Sequence, residues 1–473
     1  MTEAKTETRL PDRRIDPETF EDTEALDIVA AELALYLRRG EFGAVKGFFV
    51  VQEVADIAGL LDHMETADAL VAMRQLPAAD QAETFGYLSP STQVALSEAM
   101  DRKQLARLMG AMSHDERADL YNVLDPRAQE AVLPGLAKAE RDDLRRLASY
   151  PEGTVGSILT SDYATLRPEM TAPQALEALR QQAVDSETVY SAYIVDDAHR
   201  LLGVLSLREL LVARAYQRVG SLMDTDPVSL RVDADQSDAA RLIARYDLIA
   251  LPVLDGEGRL VGIVTQDDAM DVAEEEATED IYKSSTVGPI EGGVREAGFL
   301  SLYRARIAWL VLLVFGNIFS GAGIAAFEDV VADNLPLLFF LPLLIGSGGN
   351  AGAQSATLMV RALATGDVRR GDWFQMLSRE MLIGLALGVT MAVAVSAIGL
   401  VRATPDVTMV VAAAMIAIVL MGALIGMSLP FVLSSFDLDP ATASGPLVAS
   451  ICDVMGVLIY FGMASLVLNS QPM

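Results

Sequence analysis

The spacing of hydrophobic positions changes character three times along the 473 residues. From Thr23 to about Ala148, Leu and Ala recur at three- and four-residue spacings, interrupted by LPAAD, LSPST, MSHDE and LDPRA about every dozen residues. That pattern predicts short amphipathic helices, and each break supplies a Ser, Asp or Pro for the next helix start. Stacked helical hairpins in a superhelical, solenoid-like domain over 21–150 are expected, after a polar and mobile segment 1–20. From Pro151 to about residue 272, short β runs alternate with helices, and two halves repeat. Gly156-Ser157-Ile158-Leu159-Thr160, a helix at Ala172–Gln181, then strands at 193–196 and 203–206 match Gly220-Ser221-Leu222-Met223, a helix at Asp238–Tyr246, then strands at 251–255 and 262–265. An acidic linking helix is expected over 273–300.

The remainder, 301–473, is apolar. Ile307–Ala326, Asn334–Val360, Met381–Val401 and Val407–Phe436 contain no charge, and Pro440–Met473 contains one, Asp453. About 20 apolar residues span a bilayer as a helix, so five transmembrane helices are predicted. Lys and Arg set their orientation. Arg304 and Arg306 precede the first span, and Arg361, Arg369, Arg370 and Arg379 lie between the second and third. The N-terminal half is therefore expected in the cytoplasm and the C-terminus outside a cytoplasmic (inner) membrane. The fourth loop, with Asp437 and Asp439 and no basic residue, is cytoplasmic by parity alone. The polar start MTEAKTETRLPDRR makes a signal peptide unexpected.

Charge narrows the function. The chain has 36 Lys+Arg against 65 Asp+Glu, a net charge of −29, but only seven basic and ten acidic residues follow position 300. An acidic half is joined to a nearly uncharged one. Nucleic acid is excluded as a partner, since neutralising phosphates takes clustered cations. A single Cys and three His leave no disulfide framework and little basis for a histidine zinc centre. Cations are the expected ligands and membrane lipid the expected surroundings; no enzymatic activity is expected.

Three features could carry that chemistry. Asp453 lies inside a membrane run, where a carboxylate is costly and usually faces a pathway or partner. Gly445, Ala449, Asp453 and Gly456 follow at spacings of four, four and three, on one small-residue face. The alternative is a protonated or hydrogen-bonded Asp at a packing interface. Two Asp453 side chains opposed across a two-fold axis would suit hydrated Mg²⁺, which keeps several waters, better than Ca²⁺. Second, Gly346-Ser347-Gly348-Gly349-Asn350-Ala351-Gly352 weakens a helix. Its freed carbonyls, with Asn350 and Gln354, could face an ion's water shell, or the glycines could serve close helix packing. Third, read as a helix, 267–280 sets Asp268, Asp271, Glu275 and Glu279 on one side. This is either a solvated face or a set of carboxylates that divalent cations bridge.

The repeat of about 60 residues resembles a tandem pair of cystathionine-β-synthase-type (CBS) domains, which often bind adenine nucleotides. The family's motif falls on Gly262-Ile263-Val264-Thr265-Gln266-Asp267-Asp268, with Ser206, Arg208 and Glu209 in the first repeat. The motif at 342–354, the run Ser355–Asp367 and Gly445–Gly456 resemble the MgtE family of magnesium channels, as does the domain order over nearly the whole chain. That resemblance implies a homodimer of superhelical N domain, CBS pair, linking (plug) helix and five-helix pore domain, with the ion path on the two-fold axis. Its pore residue falls on Asp453, with contributions from Ala449, Gly349 and Asn350. Its cytoplasmic Mg²⁺ sites fall on Asp247, Asp268, Asp271, Glu276, Glu279, Asp280 and Asp439, with Asp115 and Asp119 in the N domain; Glu275 shares the linker face. Two positions depart from the family's pattern: Gly445 replaces an Asn near the pore mouth, and Ser237 an acid. ATP is the implied CBS ligand, at Ser206, Arg208, Thr265 and Asp268.

The function these features imply is a Mg²⁺-selective uptake channel, closed when rising cytosolic Mg²⁺ draws the acidic domains together; Mg²⁺ is both substrate and regulator. A proton- or ion-coupled divalent cation transporter and a non-transporting membrane-anchored nucleotide sensor are the alternatives. An anion channel is disfavoured, since no basic residue lies within a membrane run.

Overall fold

The computed structural model describes residues 14–15, 23–184, 186–290, 294, 297–436 and 438–468. The expected mobile segment 1–20, apart from residues 14 and 15, and Asp437 lie outside these residues. Ile15 itself is docked, buried with its N–H donating to Gln52 Oε1 at 2.9 Å. The chain divides into two units, Met1–Glu274 and Glu275–Met473.

Among the described residues the first unit begins with ten short helices: α1 (Thr23–Arg38), α2 (Phe42–Phe49), α3 (Val54–Asp62), α4 (Thr66–Met73), α5 (Ala78–Gly86), α6 (Pro90–Ala99), α7 (Arg102–Met109), α8 (His114–Val123), α9 (Pro126–Val132) and α10 (Lys138–Leu147). Each expected break starts a helix, at Ala78, Pro90, His114 and Pro126. Pro begins α6 and α9, where a missing N–H costs nothing. Asp101 caps α7 in a reciprocal box with Gln104. Leu33, Leu60, Leu61, Phe85, Leu96 and Met109 are fully buried along the stack, so stability comes from packing between hairpins rather than from helices this short.

Two three-stranded sheets follow, β1-β2-β3 (Tyr163–Leu166, Thr188–Val195, Leu201–Ser206) and β4-β5-β6 (Leu230–Arg231, Ala250–Leu254, Leu260–Thr265). In each, the first pair is parallel and the second antiparallel. A helix crosses over within each: α11 (Ala172–Gln182) and α13 (Gln236–Tyr246). Another leaves each last strand: α12 (Leu207–Val212) and α14 (Gln266–Ser284). The halves interlock reciprocally. Thr160, leading into the first, bridges Ile263 of the second, and Asp224, leading into the second, bridges Val204 of the first. Gly262 and Gly203 make the crossings possible: a Cβ at Gly262 would sit 2.7 Å from the Thr160 carbonyl, and one at Gly203 would collide with that of Asp224.

The linking helix starts earlier and stops sooner than expected. It leaves β6 directly at Gln266 and ends at Ser284. Thr265 is the reason, because its N–H and hydroxyl both donate to Asp268 and set the helix start (3.4 and 2.5 Å).

Among the described residues the second unit holds five helices long and apolar enough to cross a membrane: α15 (Phe299–Ala325), α17 (Pro336–Ala364), α18 (Trp373–Arg402), α19 (Pro405–Ser435) and α20 (Gly445–Leu468), with a short α16 (Glu328–Asp333) after the first. The core lies along α19, with Val410, Ala414, Ile418 and Val419 buried among α17, α18 and α20. The glycine run in α17 does not unwind. The helix is continuous from Pro336 to Ala364, so its carbonyls stay within the helix and the expectation of freed carbonyls is corrected. A Cβ at Gly422 would collide with the Gly348 carbonyl, and one at Gly426 with that of Gly352. Two glycine pairs one turn apart let α17 and α19 meet backbone to backbone, and close packing offsets the weak intrinsic helix propensity.

Candidate functional site

Asp453 is half-buried in the middle of α20. Neither it, Asn350 nor Gln354 has a side-chain hydrogen-bond partner among the described residues. The small face around it is real: a Cβ at Gly349 would touch Ala449 at 3.4 Å, and one at Gly445 would touch Ala353 at 3.5 Å. Asn350 lies on the exposed side of α17. The chain thus presents one unpaired carboxylate beside small residues, with an amide side chain on the neighbouring helix. Gly349 and Ala449 offer no polar side chain, and their backbone groups lie within helices.

A second constellation forms where α8 and α14 begin. Asp115 and Asp268 feel each other's charge, and Asp267 and Glu187 share the site. Burial raises the Asp115 carboxyl above its ordinary value, and Asp115 Oδ1 is buried with no hydrogen-bond partner. Burial, then the neighbouring Asp115, push Asp268 up to about 8. Burial does the same for Glu116 and Glu187, each to about 7, with adjacent acids adding to it. Asp271, on the exposed side of α14, is raised by burial and by Asp267 and Glu274. Burial and mutual repulsion make these carboxyls hold their protons, which a cation entering the cluster would displace. Among the described residues no three His, Cys, Asp or Glu side chains form a ready-made ligand group.

Beside this cluster, His114 Nδ1 lies 2.6 Å from Ser161 Oγ, 2.8 Å from Asp143 Oδ2 and 3.2 Å from Asp162 Oδ1. Arg146 joins Asp143 at 2.5 Å and reaches the Val261 carbonyl at 3.1 Å. Burial opposes both charges, but hydrogen bonds from His114, Arg146 and Ser161 hold Asp143 well below the usual carboxylate range. This network ties α8 and α10 to both CBS halves. Sequence reasoning missed Glu116, Glu187, Asp267 and the His114 network. MSHDE marked a helix start, but nothing in the chain says which loop that start faces.

The other expected residues separate. Asp119 is exposed one turn beyond Asp115. Asp247 sits at the left-handed end of α13 (φ 52°), lining a groove of ≈ 260 Å³ with Gln266, Met270 and Ala273. Glu275 is exposed and Glu276 half-buried along α14. In the last turn of α14, Lys283 Nζ lies 2.6 Å from Asp439 and 2.7 Å from Glu279. Burial disfavours the ammonium, but these two acids outweigh it and raise Lys283 to about 12. Asp280 is raised by burial and by Asp439. The acidic fourth loop therefore has its cation after all, supplied from the linking helix rather than the loop.

The four nucleotide candidates lie at two helix starts, Ser206 and Arg208 at that of α12 and Thr265 and Asp268 at that of α14. Ser206 and Glu209 cap α12, with Arg208 exposed beside them. Thr265 is buried at the start of α14, and Asp268 is committed to the acidic cluster.

The architecture defines a multi-pass membrane protein with a CBS-bearing acidic half. Family models match residues 52–153 (MgtE intracellular N domain), 155–216 and 219–275 (CBS domain) and 341–463 (MgtE, divalent cation transporter). The chain is 38% identical over 445 residues to the magnesium transporter MgtE of Thermus thermophilus, covering 93% of this chain and 99% of that one. It is 28% identical to the Bacillus subtilis magnesium transporter MgtE, over 88% and 95% of the two chains. It also resembles the crystal structure of the cytosolic domain of the Mg²⁺ channel MgtE in complex with ATP (36% identity, 51% of this chain, 99% of that one, TM-score 0.49). The chain belongs to the MgtE family.

Proposed function

We propose that the chain is a homodimeric, Mg²⁺-selective channel for magnesium uptake across the cytoplasmic membrane, closed by cytosolic Mg²⁺. The observation that carries this reading is Asp453: half-buried, unpartnered and surrounded by small residues in the last apolar helix. Two such carboxylates across a two-fold axis would hold an ion that keeps part of its water shell. Similarity to magnesium transporters supports Mg²⁺ as the cargo. The Arg residues at 304, 306, 361, 369, 370 and 379 support a cytoplasmic N-terminal half and an external C-terminus.

Closure follows from the acidic cluster. Without Mg²⁺, Asp115, Asp267, Asp268 and Glu187 repel one another; hydrated Mg²⁺ between them converts that repulsion to cohesion. Asp119, Asp247, Asp271, Glu275, Glu276, Glu279, Asp280 and Asp439 extend the negative field along α13, α14 and the fourth loop. By linkage, the closed state must bind Mg²⁺ more tightly than the open one. ATP is assigned to the first CBS repeat, at Ser206 and Arg208, because Asp268 serves the cation cluster.

The test is Mg²⁺ flux into vesicles carrying wild type or Asp453→Asn. Expected are flux driven by the Mg²⁺ gradient and voltage, its suppression by millimolar internal Mg²⁺, and its loss in the variant. Flux that follows a proton gradient would point to a coupled transporter, and unchanged flux in Asp453→Asn would overturn the assignment of the pathway.

A further inference from the structure

The connection between α14 and the first membrane helix shapes a surface that none of the sites above uses. The Gly288 N–H donates to the Ala305 carbonyl at 2.8 Å. A Cβ at Gly288 would come within 3.4 Å of that oxygen, so the chain at Gly288 lies flush against α15. Beside this contact is a concavity of ≈ 470 Å³, lined by Gly288, Pro289, Ser301, Arg304, Ala308 and Trp309 among others. Ser301, Arg304, Ala308 and Trp309 fall on one helical face, so the concavity follows the helix axis. Small Ala305 and Ala308 leave the hollow between the guanidinium and the indole.

Depth decides what fills it. The charge-free run begins at Ile307, which puts Arg304 at headgroup level and Trp309 just inside the apolar layer, where indoles concentrate. No ion pair engages Arg304 among the described residues. A guanidinium binds phosphate oxygens through paired N–H groups, and the exposed Ser301 hydroxyl adds a donor. A free phosphate would gain nothing from Ala308 and Trp309, whereas a lipid's glycerol and first methylenes would lie along them. A zwitterionic headgroup would bring its own ammonium to compete with Arg304.

We propose that this concavity is a binding site for an anionic phospholipid, its phosphate held by Arg304 and Ser301 and its acyl root by Ala308 and Trp309. The site involves no residue of α20 or of the acidic cluster, so it stands or falls independently of the transport reading.

The experiment is native mass spectrometry of the full-length protein in detergent. It is titrated separately with phosphatidylglycerol, phosphatidylcholine and soluble glycerol 3-phosphate. Wild type is expected to retain phosphatidylglycerol over phosphatidylcholine and to ignore millimolar glycerol 3-phosphate. Arg304→Gln should weaken phosphatidylglycerol binding about ten-fold or more, the value of charge-assisted hydrogen bonds to its phosphate. Arg306→Gln, which removes the same charge outside the concavity, should weaken it by no more than about five-fold, the value of a basic side chain merely near an anionic surface. Ala308→Trp keeps every charge but fills the hollow and should also lose the lipid. Equal binding of the two lipids, equal losses in the two Arg variants, or retention in Ala308→Trp would overturn the site. Glycerol 3-phosphate bound as well as the lipid would assign a soluble anion instead.

Discussion

Where α8 and α14 begin, the carboxyls of Asp115, Glu116, Glu187 and Asp268 are raised by burial and by neighbouring acids, Asp267 among them. In α20, by contrast, Asp453 is alone, and the helices around it are held by glycine-to-backbone contacts. The acidic unit is built against its own charge and gains cohesion when that charge is neutralised. The charge-free runs of the membrane unit are built on shape, and the last apolar helix admits one carboxylate, Asp453. A cation effect on stability therefore belongs to the first region and a packing effect to the second, and substitutions can separate the two.

The largest effect should come from the packing side. Gly426→Leu would drive a side chain into the Gly352 carbonyl, with no flexible neighbour to give way. Most of the protein is expected to aggregate on extraction, by size-exclusion chromatography in detergent, at any pH and any Mg²⁺ concentration. A monodisperse Gly426→Leu protein would show that α17 and α19 are not in backbone contact.

The opposite sign is expected in the acidic cluster. Asp115→Asn with Asp268→Asn removes two mutually repelling carboxylates, so the metal-free protein should melt about a few degrees higher than wild type. The same variant should lose most of the stabilisation that Mg²⁺ confers, since ligand stabilisation scales with binding to the native state. A thermal shift series in EDTA and in 10 mM Mg²⁺ separates the two. If both proteins gain equally from Mg²⁺, these acids form a solvated face.

How much of this could be read from the chain depended on whether the signal was local. The five spans were legible because apolar length alone sets them, and the CBS pair because the repeat recurs at nearly constant spacing. The interlocking of its halves was not read from the chain, although Gly203 and Gly262, one in each repeat, are what permits it. The acidic cluster was only half legible. Asp268 stood out on a helix face and Asp115 through family resemblance, but Glu187 lies in a loop whose approach to α8 is set by tertiary folding. The glycine run misled by half, because helix propensity predicts weakening and cannot see the partner glycines of α19. Lys283 was visible in the sequence yet unassigned, since counting basic residues loop by loop credits none of them to a distant helix.

A smaller, graded effect concerns pH. Asp268 at about 8, and Glu116 and Glu187 at about 7, are raised above the ordinary carboxylate value near 4. Between about pH 4 and 8 the folded cluster therefore holds protons that the unfolded chain has released, so stability falls as pH rises through that window. Above about pH 8 the loss is complete. Metal-free protein should melt lower at pH 8.5 than at pH 6, and Mg²⁺ should narrow the gap by taking the protons' place. Addition of Mg²⁺ at pH 7 in weak buffer should release protons; no release would mean that the ion does not enter this cluster.

The smallest effect sharpens the contrast, because it lies in the membrane unit yet involves paired charge. Lys283 bridges Asp439 and Glu279 at 2.6 and 2.7 Å, but these side chains stay between a third and a half exposed. A pair so open to solvent contributes at most about 1 kcal/mol. Lys283→Met should therefore change thermal stability little while leaving Asp439, Glu279 and Asp280 without their cation. If cytosolic Mg²⁺ acts at this end of the linking helix, the variant should close at lower Mg²⁺, by about two- to five-fold in flux assays, because the ion then substitutes for the missing ammonium. An unchanged Mg²⁺ dependence would assign Lys283 and Asp439 to a static strut, leaving regulation to the cluster around Asp115 and Asp268.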